Sequence, residues 1–255
     1  MLTLIGLGLH DEKDLTLRGI ELAKAADRVY MELYTSKWHG SLKNLEKIVG
    51  KKIEVLQRKD LEEDGKKIIE LAGKQNIVIF VPGDPLVATT HAALIQSAVA
   101  SKIDYNIVHN ASIISAVVES GLHIYKFGPS VTIPFPEKTK GKLPESVYEA
   151  IKANRERGLH TLCFLDVVSE EDKYMLPKQA VAILLELEKA KKGGVCDEKT
   201  EVVVMAMVGS PDSKIFYGKI GEILEKDFGE PPAVLIVPGS LHFTEKEHLQ
   251  LYKKV

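Results

Sequence analysis

What this chain of 255 residues has little of narrows the possibilities first. Only two cysteines occur, Cys163 and Cys196, and no CxxC spacing exists. A structural zinc site and a disulfide framework are therefore without support, and a reducing cytoplasm is the expected setting. Cys163 lies in the apolar run Thr161-Leu162-Cys163-Phe164-Leu165 and reads as a small buried hydrophobe. Cys196 follows Gly193-Gly194 and reads as a loop residue. Net charge is scarce too, at −2, so no overall basic field draws the protein to nucleic acid. No apolar run approaches the roughly 18 residues that span a bilayer. The apolar start, residues 1–9, is too short for a signal peptide, lacks a basic leading region and is closed by Asp11 and Glu12. A soluble, cytoplasmic protein without a membrane partner is expected. There is no fixed-period repeat and no low-complexity tract. No HExxH and no nucleophile elbow is present, and His91, His109 and His123 have no metal-ligand spacing, so no metal is expected and these histidines read as packed or exposed residues. Ser112 lies near His109 without an orienting acid, which argues against a Ser-His hydrolase.

What is present is an ordinary globular mix, 45% hydrophobic and 27% charged, enough for one large domain or two small ones. The first half alternates strand and helix signals. Strands are expected at residues 2–7, 29–31, 53–56, 77–81 and 105–109. Helices are expected at 15–26 (with Asp14 as N-cap), 42–49, 61–73, 88–100 and 112–120. This alternation with short loops predicts a mostly parallel sheet covered on both faces. Between Gly121 and Gly141 glycine, proline and lysine crowd together, and the domain boundary is expected near residue 125. Residues 126–255 read as an α+β domain with a mixed sheet. Its expected helices lie at 144–157, 177–191, 220–226 and 244–254, and its strands at 160–165, 202–208, 215–218 and 233–237. Lys138, Lys140 and Lys142 form a basic loop that reads as solvated surface.

The stretch Pro82-Gly83-Asp84-Pro85-Leu86-Val87-Ala88-Thr89-Thr90-His91 follows the buried run Ile77–Val81. The prolines fix φ at two points, and Pro85 turns Asp84 away from helical geometry. A carboxylate is thus held stiffly past the carboxyl end of a strand, where open α/β sheets bind ligands. Gly6 to Leu9 and Asn110-Ala111-Ser112-Ile113 end two further strands. In a parallel sheet all three loops share one edge. Gly6-Leu7-Gly8 leaves three readings open: a dinucleotide cradle, a tight turn, or a ligand crevice of another kind. Against the first, Asp11 stands where the third glycine belongs and the helix starts late.

Several segments together resemble the diphthine synthases, a family within the tetrapyrrole methylase superfamily. They are Ile5-Gly6-Leu7-Gly8-Leu9 with Asp14-Leu15-Thr16-Leu17-Arg18-Gly19, then Glu32-Leu33-Tyr34-Thr35-Ser36, the Pro82 to His91 turn, and Gly121-Leu122-His123-Ile124-Tyr125-Lys126-Phe127-Gly128. Gly158-Leu159-His160-Thr161-Leu162 and Pro231-Pro232 through Pro238-Gly239-Ser240-Leu241-His242 complete the match, in order over essentially the whole chain. The compact length resembles archaeal members.

The resemblance implies two α/β domains with a ligand cleft between them, and a homodimer. It implies an S-adenosylmethionine-dependent methyltransferase, releasing S-adenosylhomocysteine. The substrate would be elongation factor 2 carrying a 3-amino-3-carboxypropyl-histidine, whose amino group is methylated repeatedly to diphthine in diphthamide biosynthesis. Cofactor contacts carry over to Leu9, Asp84, Val87, Ser112, Ile113, Leu165, Val208 and Ala233. The position of Ala233 is often histidine in similar sequences, so a contact made there through the backbone survives. No catalytic dyad is expected, because the sulfonium donor is already activated and a free α-amino group, with a pKa of about 8, is partly neutral without a strong base. Asp84 is expected to orient the cofactor, and Lys126 to meet the substrate carboxylate. The rival readings are a methyltransferase of the same superfamily acting on a corrin precursor or ribosomal RNA, a nicotinamide oxidoreductase, and a binding module without activity.

Overall fold

Two strands of the first half, β1 (Leu2–Gly6) and β4 (Ile77–Val81), carry no charged side chain and are buried along their whole length, as strands covered on both faces must be. In the computed structural model, which describes residues 1–253, they join β2 (Arg28–Glu32), β3 (Ile53–Leu56) and β5 (Tyr105–Val108) in a sheet ordered β3-β2-β4-β1-β5. Every pairing in it is parallel. The connecting helices are α1 (Leu17–Ala25), α2 (Leu42–Val49), α3 (Arg58–Glu62), α4 (Gly65–Ala72), α5 (Ala92–Ala100) and the single turn α6 (Ile113–Ala116). Side chains alternate across the sheet. Leu2, Leu4, Ile77 and Ile79 pack with Ile68 and Ile69 of α4 and Leu94 and Ala98 of α5. Ile5, Val78 and Phe80 pack on the opposite face with Ala23 of α1 and Leu45 and Val49 of α2. Helices therefore cover both faces, as the alternation predicts.

The second sheet is ordered β11-β10-β12-β7-β6. Its strands are β6 (Val131–Ile133), β7 (Thr161–Leu165), β10 (Glu201–Ala206), β11 (Lys214–Lys219) and β12 (Ala233–Val237), while β8 (Val167–Val168) and β9 (Lys173–Tyr174) form a separate hairpin. The sheet is mixed: β6 runs parallel to β7 and the other pairings are antiparallel. The helices are α7 (Glu145–Glu156), α8 (Pro177–Lys191), α9 (Ile220–Ile223) and α10 (Phe243–Leu249). Residues Val147 and Ile151 of α7, Val181 and Leu184 of α8 and Ile220 of α9 share one core with Cys163, Val204, Phe216 and Leu235. Cys196 is as buried as Cys163, and burial pushes its thiol up to about 12.

Two compact units divide at Ala116–Val117, and the texture change near residue 125 falls a little inside the second. The 3₁₀ turn Val117–Ser120 packs against β10 of that unit.

Several element limits differ from expectation for local reasons. The cap of α1 is Thr16, which accepts from the Gly19 amide, while Asp14 turns back to accept from the His10 amide. The expected helix 61–73 is two helices, because Asp64-Gly65 starts α4 anew. The helix expected from residue 88 begins only at Ala92, since Ala88 adopts φ +54°. Residues 112–120 make one α-turn followed by a 3₁₀ turn. The strand expected at 202–208 stops at Ala206, and Met207 turns with φ +54°. The helix expected at 220–226 ends at Ile223. The tail helix gives way to a 3₁₀ turn, Gln250–Tyr252, and its expected end at residue 254 lies outside the described residues. Strands β6, β8 and β9 carry too few residues for a period-2 signal.

Candidate functional site

Strands β4, β1 and β5 are neighbours running the same way, so their carboxyl ends present three loops on one sheet edge. The backbone locks two of these loops together. The Gly8 amide donates to the Gly83 carbonyl at 3.2 Å, the Gly83 amide donates to the Gly8 carbonyl at 2.9 Å, and the Leu7 amide reaches the Val81 carbonyl at 2.8 Å. Gly8 sits at φ +82°, and a Cβ there would lie 2.4 Å from Asp14 Cβ. The third loop is tied in by Asn110, whose Nδ2 donates to the carbonyls of Gly6 and Asp14, each at 2.9 Å.

Asp84 is the knot of this edge and only 6% exposed. Its Oδ2 accepts from His109 Nδ1 at 2.8 Å and from the Asn110 amide at 3.2 Å. Its Oδ1 accepts from the Leu86 amide at 3.0 Å. A carboxylate has about four lone-pair positions; donors among the described residues fill three of them, leaving one on Oδ1. The sequence motif locates this residue, but not its partners. His109, which reads as an uninvolved histidine, is the group that steers the carboxylate.

The other expected contacts fall into two sets. In the first unit Ser112 is buried beside Gly83, and Leu9, Val87 and Ile113 are half-buried apolar residues of the same edge. In the second unit Leu165 ends β7 and Ala233 opens β12; Val234 pairs with Phe164 and Ala206 with Ala233, so these ends lie side by side. The Met207 amide donates to the Pro232 carbonyl at 2.9 Å, holding the turn that carries Val208 to the same end of its sheet.

Lys126 does not present a free ammonium for a substrate carboxylate. Its Nζ donates to Glu245 Oε2 at 2.5 Å and to the Ser240 carbonyl at 2.5 Å. Glu245 is fully buried, and its carboxylate also accepts from the amides of His123 and His242 and from His160 Nε2. Burial alone would raise its pKa, but these donors together hold it at about 2. Because the folded pKa lies below the unfolded value, this stabilisation is complete above pH ~4.5 and is lost as pH falls through about 2; the shift is worth on the order of 3 kcal/mol. Denaturant titrations of the wild type and Glu245→Gln are expected to converge as pH drops from 5 toward 2. A gap that stays constant over that range would show the pairing to be energetically idle.

Beneath the Pro82–His91 loop lies a polar group that joins two of the quoted motif segments. Glu32 at the end of β2 is fully buried, and accepts from the amides of Tyr34 and Thr35 and from Thr35 Oγ1. Burial pushes its pKa up to about 7 despite these donors. His91 is 1% exposed, with Nε2 3.3 Å from the Tyr34 hydroxyl and 3.9 Å from Glu32 Oε1.

A two-unit α/β protein, with one parallel and one mixed sheet and ligand-type loops crowded at the carboxyl edge of the first, defines a class, and comparison places it. The family model of Tetrapyrrole (Corrin/Porphyrin) Methylases matches residues 1–224. The diphthine synthase of Methanocaldococcus jannaschii is 46% identical over 253 residues, 98% of each chain, and that of Methanococcus vannielii is 41% identical over 251 residues, again 98% of each. A crystal structure of a diphthine synthase superposes with a TM-score of 0.89 at 36% identity, covering 99% of this chain and 95% of the other. The chain therefore belongs to the tetrapyrrole methylases and, within them, to the diphthine synthase family. The family resemblance read from its motifs is borne out over nearly the full length.

Proposed function

We propose that this protein is a methyltransferase of diphthamide biosynthesis that takes methyl groups from S-adenosylmethionine. Its acceptor is the amino nitrogen of the 3-amino-3-carboxypropyl-histidine of elongation factor 2, methylated repeatedly to diphthine. The observation that carries the reading is the full-length kinship with diphthine synthases, joined to a first-unit edge whose chemistry suits the cofactor. Leu9, Val87 and Ile113 offer half-buried apolar surface for an adenine ring. Asp84 offers an anchored negative charge for a cationic ligand, and Ser112 a hydroxyl beside it. On the same reading the second unit supplies Leu165, Val208 and Ala233.

Bound S-adenosylmethionine would supply a methyl group already activated on a sulfonium. The chain's own part is placement. Holding a donor carbon and an acceptor nitrogen about 3 Å apart and in line supplies much of the rate in such displacements. The locked loops of Gly8, Gly83 and Asp84 form a rigid bed for that purpose. Desolvation around the acceptor amine favours its neutral, nucleophilic form, so no residue is assigned as a general base. The reading includes a cytoplasmic homodimer that binds no nucleic acid. No helix among the described residues is long and apolar enough to cross a membrane.

Incubation with isotope-labelled S-adenosylmethionine and elongation factor 2 bearing the unmethylated precursor is expected to add methyl masses to the modified histidine, read by mass spectrometry. Transfer to a corrin precursor or to ribosomal RNA instead, or to nothing, would overturn the assignment.

A further inference from the structure

His91 is the most buried histidine of the first unit and sits under the loop that bears Asp84 and Val87. Its Nδ1 lies 3.2 Å from the Pro85 carbonyl oxygen. A carbonyl only accepts, so Nδ1 must carry the proton. The Thr89 hydroxyl donates to the same oxygen at 2.8 Å. One peptide carbonyl, immediately after Asp84 and two residues before Val87, is thus gripped from inside by two donors. The turn they enforce places Ala88 at φ +54°, a conformation that non-glycine residues seldom adopt without outside support.

The other side of the ring explains why this tautomer persists. Burial disfavours the charged imidazolium and lowers the pKa of His91, so the ring is neutral. With the proton on Nδ1, Nε2 has a lone pair, and the Tyr34 hydroxyl at 3.3 Å donates to it. Burial, first, and then the nearby carboxylates Glu32 and Glu62 raise the phenol's pKa and keep that donor protonated. Tyr34 is held in turn by its amide's bond to Glu32 Oε2 and by the Arg58 guanidinium 5.3 Å from its ring centre. The adjacent Thr90 hydroxyl donates to Glu62 Oε1 at 3.0 Å, anchoring the far end of the loop to α3.

We propose that His91 is a positioning residue for methyl transfer: its Nδ1–H, oriented by Tyr34 beside Glu32, fixes the Pro85 carbonyl and so sets the placement of the Asp84 and Val87 cofactor contacts. The proposal rests on the cofactor assignment above. It concerns placement only, since His91 is 1% exposed and its ring nitrogens meet the Pro85 carbonyl and the Tyr34 hydroxyl.

The decisive comparison is between His91→Asn and His91→Gln. An asparagine amide nitrogen occupies the place of Nδ1, and a glutamine amide the place of Nε2. His91→Gln is expected to weaken S-adenosylmethionine binding by about tenfold, the worth of one well-placed hydrogen bond, and to raise KM for it with a smaller change in kcat. His91→Asn is expected to stay within about threefold of wild type by the same scale. Equal losses in both variants at matched thermal stability would reduce the residue to packing and overturn the proposal. Where either variant fails to fold, ¹⁵N chemical shifts of the imidazole in the intact protein decide. A neutral Nδ1–H ring supports the proposal, and an Nε2–H or charged ring at pH 7 overturns it. Absence of S-adenosylmethionine binding by the wild type would strike the cofactor assignment instead, so the two failures are distinct.

Discussion

Asp84→Ala is expected to weaken S-adenosylmethionine binding by about a hundredfold, or roughly 2.7 kcal/mol. Truncation removes the acceptor for His109 Nδ1, the Asn110 amide and the Leu86 amide at one stroke. Hydrogen bonds to a charged group contribute about 1.5–3 kcal/mol each, and donors left unmatched in a buried setting are costly. The exposed flank of His109 lets water recover part of this loss, so the folded protein is expected to lose only about 3 kcal/mol of stability. The loops after β4 and β5 are released from each other, and the lone pair offered to a cationic ligand disappears. Asp84→Asn separates the two effects. It keeps one acceptor oxygen but turns an NH₂ toward one of the three donors, and a loss of about tenfold is expected. Calorimetry with S-adenosylmethionine, paired with thermal unfolding, reads both quantities. An Asp84→Ala protein that is folded and binds with wild-type affinity would remove Asp84 from the cofactor site.

Gly6→Ala is expected to destabilise the first unit more than any conservative surface change. An added Cβ would stand 2.5 Å from the Gly83 carbonyl oxygen and 2.7 Å from Asn110 Cβ. The first obstacle is backbone and cannot rotate away; the second belongs to the side chain whose amide bonds Gly6 itself. Relief requires the β1 and β4 loops to part, which breaks the mutual Gly8–Gly83 hydrogen bonds. Overpacking of this kind costs about 1–3 kcal/mol, and loss of the paired amides brings the expected total to roughly 3–5 kcal/mol. Chemical denaturation followed by first-unit reporters such as Trp38 checks the size of the effect. A near-neutral substitution would mean that the two loops are not held in the close approach described.

Much of the site is legible along the chain because its signals are local. Proline and glycine impose their backbone limits wherever they stand, so Pro82 to Pro85 announces a rigid turn without its neighbours. Uninterrupted apolar runs such as Ile77–Val81 demand burial on both faces, and parallel strands then bring the three loops to one edge. What periodicity does not register is the individual side-chain bond, whether local or from afar. The helix expected from residue 88 starts late because His91 and Thr89 hold the Pro85 carbonyl. Lys126 reads as a free cation, yet its partner Glu245 lies 119 residues away. His109 reads as unremarkable for the same reason, since Asp84 precedes it by 25 residues.

The two α/β halves and the loop that bears Asp84 are written in the chain itself, because apolar periodicity and the stereochemistry of proline and glycine act within a few residues; the family is legible through the resemblance of the motif segments. Which donors occupy Asp84, why Lys126 is unavailable and how His91 braces the loop emerge only once the chain is folded. His109 for Asp84, Glu245 for Lys126 and Tyr34 for His91 lie 25, 119 and 57 residues from their partners, and such partners are chosen by the packing of strands and helices.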